Sequence, residues 1–120
     1  MDELRATLDY AAEKHMKVAV GAGLTPTSVR DLAEHVLILT TRLSASPIFS
    51  RVRGTARVTG GFPAESLAID LSHENLDWWP LFPAPPGKSV GALIAEGWEG
   101  LRNFRRGGTL AHIQLIECVC

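Results

Sequence analysis

From residue 89 to 106 the apolar positions Val90, Leu93, Ile94, Trp98, Leu101 and Phe104 recur three and four residues apart, which is the spacing of one helix face. Ser89 is placed to cap the start. Arg102, Arg105 and Arg106 crowd the end, where the helix dipole favours cations, and Gly107-Gly108 supply a left-handed stop. Immediately after, residues 110–118 switch to period two, with Ala111, Ile113 and Leu115 on one face and His112 and Gln114 on the other. The last third therefore reads as a helix running into a half-buried strand.

The same patterning predicts the rest of the chain. Residues 2–15 suit an accessory helix with Leu4, Leu8, Ala11 and Ala12 on one side. Lys17-Val18-Ala19-Val20 is a short β-prone run that meets Gly21-Ala22-Gly23, a strand ending in a tight turn. Thr25-Pro26 starts a helix as cap and first position. Its body, Val29, Leu32, Ala33, Val36, Leu37, Leu39 and Leu43, is apolar over more than half its circumference, and 44–47 stops it. Between 49 and 59, Val52, Ala56 and Val58 alternate with Arg51, Arg53, Thr55 and Arg57 as in a strand. Gly60-Gly61-Phe62-Pro63 is turn material, and Leu67, Ile69 and Leu71 alternate with Ala68, Asp70 and Ser72 in a further strand. Residues 73–87 form a long loop holding Trp78, Trp79, Leu81 and Phe82 among prolines.

Taken in order, the core from residue 16 onward is strand–helix–strand–strand–helix–strand. That order matches a ferredoxin-like α+β sandwich, two helices on one face of a four-stranded antiparallel sheet, preceded by an extra N-terminal helix. Another small α+β layer fold with the same elements paired differently is the rival. A chain of 120 residues suits one domain spanning 1–120.

Composition narrows the function classes. Hydrophobic residues are 46% and charged residues 21%, a globular balance, and the formal net charge of −1 speaks against gripping a nucleic-acid backbone. No aromatic side chain projects from the first or third expected strand to stack bases, so RNA binding is not expected. No apolar run reaches membrane-span length, and the charged start of the chain does not suit a signal peptide. A cytoplasmic protein without nucleic-acid or membrane partners is the expectation. Cys118 and Cys120, two apart on an extended run, are poorly placed to bridge each other and read as reduced thiols.

Several motifs fall short of chemistry. Ala84-Pro85-Pro86-Gly87-Lys88-Ser89 ends like a phosphate loop, but Phe82 stands where its first glycine belongs and prolines remove the amide donors. Gly21-Ala22-Gly23 lacks the third glycine of a dinucleotide loop, Pro26 standing in its place. His73-Glu74 with Asp77 lacks the second helical histidine of a zinc protease. No cofactor or metal set is expected, and no motif is specific enough to place the chain in a family.

Two candidate surfaces remain. In the sandwich, the sheet face away from the helices would carry Arg51, Arg53, Arg57, Asp70, Ser72, His112 and Gln114, able to bind a small anion or an acidic partner. An ordinary solvated face with cross-strand pairs is the plainer account of the same residues. The second surface is the aromatic loop with Trp78, Trp79 and Phe82, long enough to be either a contact element or a lid. The leading expectation is a small binding or regulatory protein, a homo-oligomer, taking a protein partner or a small anionic ligand. The alternatives are a small enzyme using Arg53, Asp70 and His112 on an anionic metabolite, and an inhibitor or antitoxin-type partner protein.

Overall fold

The structure, a computed structural model, describes residues 2–21, 35–78, 83–101, 105 and 107–119. Helix α1 (Asp2–Glu13) leads into β1 (Lys17–Gly21), which pairs in parallel with β2 (His35–Leu39). A 3₁₀ turn at Thr40–Arg42 follows, then an antiparallel hairpin of β3 (Ile48–Ser50) and β4 (Thr55–Arg57). Helices α2 (Ala64–His73) and α3 (Val90–Ala95) come next, and a second 3₁₀ turn, Thr109–His112, precedes an extended run over 113–119.

The ferredoxin-like sandwich is not formed. Among the described residues there are two separate two-stranded sheets, one parallel and one antiparallel, in place of a four-stranded antiparallel sheet. Each departure has a local cause. Val36, Leu37 and Leu39, expected in a helix, lie in β2, because an uninterrupted apolar run such as 36–39 suits a strand as readily as a helix. The earlier part of that helix, 25–34, lies outside the described residues. Leu67 and Leu71, expected in a strand, are buried on α2 with Ala64, since positions 64, 67 and 71 also share a helix face. The alternative period leaves Ile69 57% exposed. The single strand over 49–59 is a hairpin, because Gly54 turns at φ +61° and its amide donates to Arg51 O at 3.3 Å. The strand expected over 110–118 is a 3₁₀ turn and an extended run that pairs with no described strand.

Helix α3 is much shorter than the 89–106 expected. Its cap is as anticipated, with Ser89 Oγ accepting from the Ala92 amide at 3.3 Å. Its end is set by Gly97, at φ +63°. The Gly97 amide donates to Ile94 O at 3.1 Å and the Trp98 amide to Leu93 O at 2.9 Å, the paired bonds of a Schellman cap. The other two helices stop the same way. His15 (φ 53°) closes α1, with Met16 donating to Ala11 O at 2.9 Å; Asn75 (φ 54°) closes α2, with Leu76 donating to Leu71 O at 2.9 Å.

The buried cluster sits between α2 and α3. Ala64, Leu67, Leu71, Val90 and Leu93 form it, and Phe49, Val58, Phe62, Leu76, Trp78, Ile94 and Trp98 pack around them. The two helix starts are tied by backbone. Ala64 N–H donates to Lys88 O and Val90 N–H to Phe62 O, both at 2.9 Å, and Gly91 N–H donates to Gly60 O at 2.7 Å. These bonds satisfy first-turn donors that an isolated helix leaves open. The clasp needs glycines. A Cβ on Gly61 would collide with the Thr40 carbonyl oxygen and lie 2.9 Å from that of Leu43.

Candidate partner-binding surface

The structure distributes the expected site residues over several elements. Arg51 and Arg53 stand in the β3–β4 turn, Arg57 on β4, Asp70 on α2, His112 at the end of the second 3₁₀ turn and Gln114 in the extended run beyond. The common sheet face that was to unite them does not exist, because Asp70 is on a helix and 112–114 are not in a sheet. Among the described residues no hydrogen bond or ion pair joins Arg53, Asp70 and His112 to one another. Trp79 and Phe82 lie outside the described residues.

What the arginines do instead is anchor neighbouring segments. Arg51 Nε donates to Glu74 Oε2 at 2.7 Å, tying the hairpin turn to the end of α2. Arg57 donates through one nitrogen to both oxygens of Glu117, at 3.3 and 3.1 Å, tying β4 to the extended run. Both guanidiniums remain mostly exposed, with side-chain exposures of 65% and 74%, so each pair contributes at most about 1 kcal/mol. Between them the turn presents Val52, 99% exposed, and the exposed Arg53. The hairpin tip is thus an apolar side chain flanked by guanidiniums.

Trp78 is half-buried against the α2–α3 cluster, so this part of the aromatic loop packs on its own chain. Its Nε1 is shielded and has no hydrogen-bond partner, as is also true of His35 Nδ1 and His112 Nε2. A shallow depression of about 190 Å³ lies at the start of α3, lined by Thr41, Ser44, Gly61, Pro63, Gly87, Lys88 and Ser89. Of its polar side chains, Lys88 is paired with Glu96 and Ser89 accepts from the Ala92 amide, so its one cation is already engaged. No group of three or more His, Cys, Asp or Glu among the described residues is placed to hold a metal ion. No described helix is long and apolar enough to cross a membrane.

The pattern that sequence reasoning missed is apolar. β1 and β2 are in register Val18 to Val36 and Val20 to Ile38, so these four side chains share one sheet face. Val18 and Val20 are nonetheless 36% and 67% exposed, and Met16 just before them is 42% exposed. The signal was present in the sequence: two strands of nearly continuous aliphatic residues, the composition of strands covered on both faces. Comparison with protein families, with curated proteins and with solved structures finds no match.

Proposed function

We propose that the chain is a small cytoplasmic binding or regulatory protein that acts as a homo-oligomer. Its contact elements are the β1–β2 strands, the Arg-flanked hairpin tip and the aromatic loop, and its further partner is a protein or a small anionic ligand. The observation that carries this proposal is an imbalance of apolar burial. Among the described residues the buried hydrophobic side chains are Ala11, Ala64, Leu67, Leu71, Val90 and Leu93. Large aliphatic side chains left in water outnumber them and include Val20, Ile48, Val52, Leu101, Leu110 and Leu115, each more than 60% exposed. Apolar surface of this kind gains, wherever association covers it, roughly 25 cal/mol per Å² removed from water. Arg53, with no ion-pair partner among the described residues, and the outward faces of Arg51 and Arg57 suit a carboxylate or phosphate. Size-exclusion chromatography with light scattering tests the oligomer. A mass above the monomer is expected at tens of micromolar, and a clean monomer refutes it.

A further inference from the structure

We propose that two copies of the chain join through the outer edge of β1, antiparallel about a two-fold axis at Ala19. The product is one four-stranded sheet in the order β2, β1, partner β1, partner β2. This rests on the oligomer proposed above and names its surface.

Among the described residues β1 pairs with β2 alone, and no described strand pairs with its other edge. It is also the more exposed of the two strands, with Lys17, Val18 and Val20 open to solvent while β2 is half-buried from His35 to Ile38. An open strand edge with aliphatic side chains is a template for another strand. Purely parallel sheets are ordinarily covered, and a lone parallel pair with an exposed aliphatic row is an incomplete form of one.

The sequence of β1 is complementary to itself in one register. Centring an antiparallel pair on Ala19 sets Val18 opposite Val20 of the partner copy and Lys17 opposite Gly21 of the partner copy. All five residues of β1 are then paired, aliphatic meets aliphatic, and each lysine faces a residue with no side chain. A slip of one residue would set Val18 against Ala19 and break the apolar face, since alternate residues point to opposite sides. A slip that sets Lys17 against its own copy opposes like charges and leaves almost no overlap. The lysine, which in general blunts a strand edge, here selects the register. In the joined sheet Val18, Val20, Val36 and Ile38 of the two copies become one continuous apolar face. Such a contact is isologous, the same patch meeting itself, and it closes at two copies. The competing occupant is the extended run 113–119, but Glu117 in that run is already held by Arg57.

Cysteine cross-linking of the full chain, with Cys118→Ser and Cys120→Ser as background, tests the axis. Residues directly opposite in an antiparallel pair have Cα atoms about 4.5–5.5 Å apart, inside disulfide range, so Ala19→Cys is expected to oxidise to a covalent dimer. Lys17→Cys is expected to cross-link poorly, because its two copies would lie about 13 Å apart along the strands. Val20→Lys, at a 67% exposed site that folding tolerates, is expected to raise the dimer dissociation constant at least about tenfold with circular dichroism unchanged. Equal cross-linking at 17 and 19, or a dimer indifferent to Val20→Lys, would overturn the β1 axis and leave the oligomer on another surface. A disulfide between the introduced thiol at 19 and Cys118, when Cys118 is retained, would give the edge to the extended run and also overturn it. A monomer at every concentration would remove both proposals.

Discussion

Replacing Gly91 by alanine sets two physical effects against each other. Gly91 lies in the first turn of α3, and as a helix residue it should welcome alanine, which gains at most about 1 kcal/mol over glycine. Its neighbour decides otherwise. A Cβ there would lie 2.9 Å from the Gly60 carbonyl oxygen and 3.2 and 3.3 Å from the Gly60 Cα and carbonyl carbon. These are backbone atoms that cannot swing aside, and the Gly91 amide already donates to that oxygen at 2.7 Å. Overpacking costs about 1–3 kcal/mol, and weakening the hydrogen bond adds about 0.5–1.5 kcal/mol. The expected result is a net destabilisation of about 1–3 kcal/mol after the propensity gain is subtracted. The reverse contact is looser, since a Cβ on Gly60 would meet only the Gly91 Cα at 3.8 Å, an ordinary van der Waals distance. Gly60→Ala should therefore stay within about 1 kcal/mol of the parent. Urea unfolding followed by tryptophan fluorescence and far-ultraviolet circular dichroism measures both. Stabilisation by Gly91→Ala, or equal losses for the two variants, would show that the backbones of 60–64 and 88–91 do not approach as described.

Leu93→Ala removes a side chain 1% exposed at the centre of the α2–α3 cluster, and should lower unfolding free energy by about 2–5 kcal/mol in the same assay. Gly97→Ala, where nothing lies within 4 Å of the added Cβ, isolates the cost of the left-handed conformation and should lose about 1–2 kcal/mol by urea unfolding. Arg51→Ala breaks only the exposed pair with Glu74 and should change stability by less than about 1 kcal/mol; a larger loss would mean the hairpin depends on that tie. Trp78→Ala removes a half-buried side chain packed on the α2–α3 cluster and should lower unfolding free energy by more than about 1 kcal/mol in urea, with self-association through β1 intact in sedimentation equilibrium. Weakened association with the melting temperature unchanged would instead make Trp78 a contact residue.

Local signals were legible where one period dominated. The helix over 2–15, the strand at 17–20 and the Ser89 cap stand as the pattern implied. The errors came where a pattern admitted two periods or where one residue overrode its neighbours. Within β2 every position from 36 to 39 is apolar, so periodicity carries no information there. Leu67, Ile69 and Leu71 alternate, yet Ala64, Leu67 and Leu71 also lie on a helix face, and packing against Val90 and Leu93 selected the helix. The stripe from Val90 to Phe104 runs through Gly97, and the punctuation of that single glycine outweighed the stripe. For the candidate site, the arginine-rich stretch was visible, but Glu74 and Glu117 come from distant segments that only the tertiary arrangement brings near. The sheet face uniting Arg53, Asp70 and His112 depended on the fold and went with it.

The backbone clasp at the starts of α2 and α3 also bears on how this chain can change over generations. It pins two points, Ala64 and Lys88, so the stretch after α2 that carries the tryptophans is hung from fixed ends. Closing a loop costs only about 0.6 kcal/mol more for each doubling of its length. Residues inserted between Trp78 and Gly87, beyond the side chains packed on the core, would therefore weigh on the fold far less than a single methyl group added at Gly91. Variation in the length and lettering of that stretch is where the molecule can acquire new contacts while the helix pair beneath it stays the same.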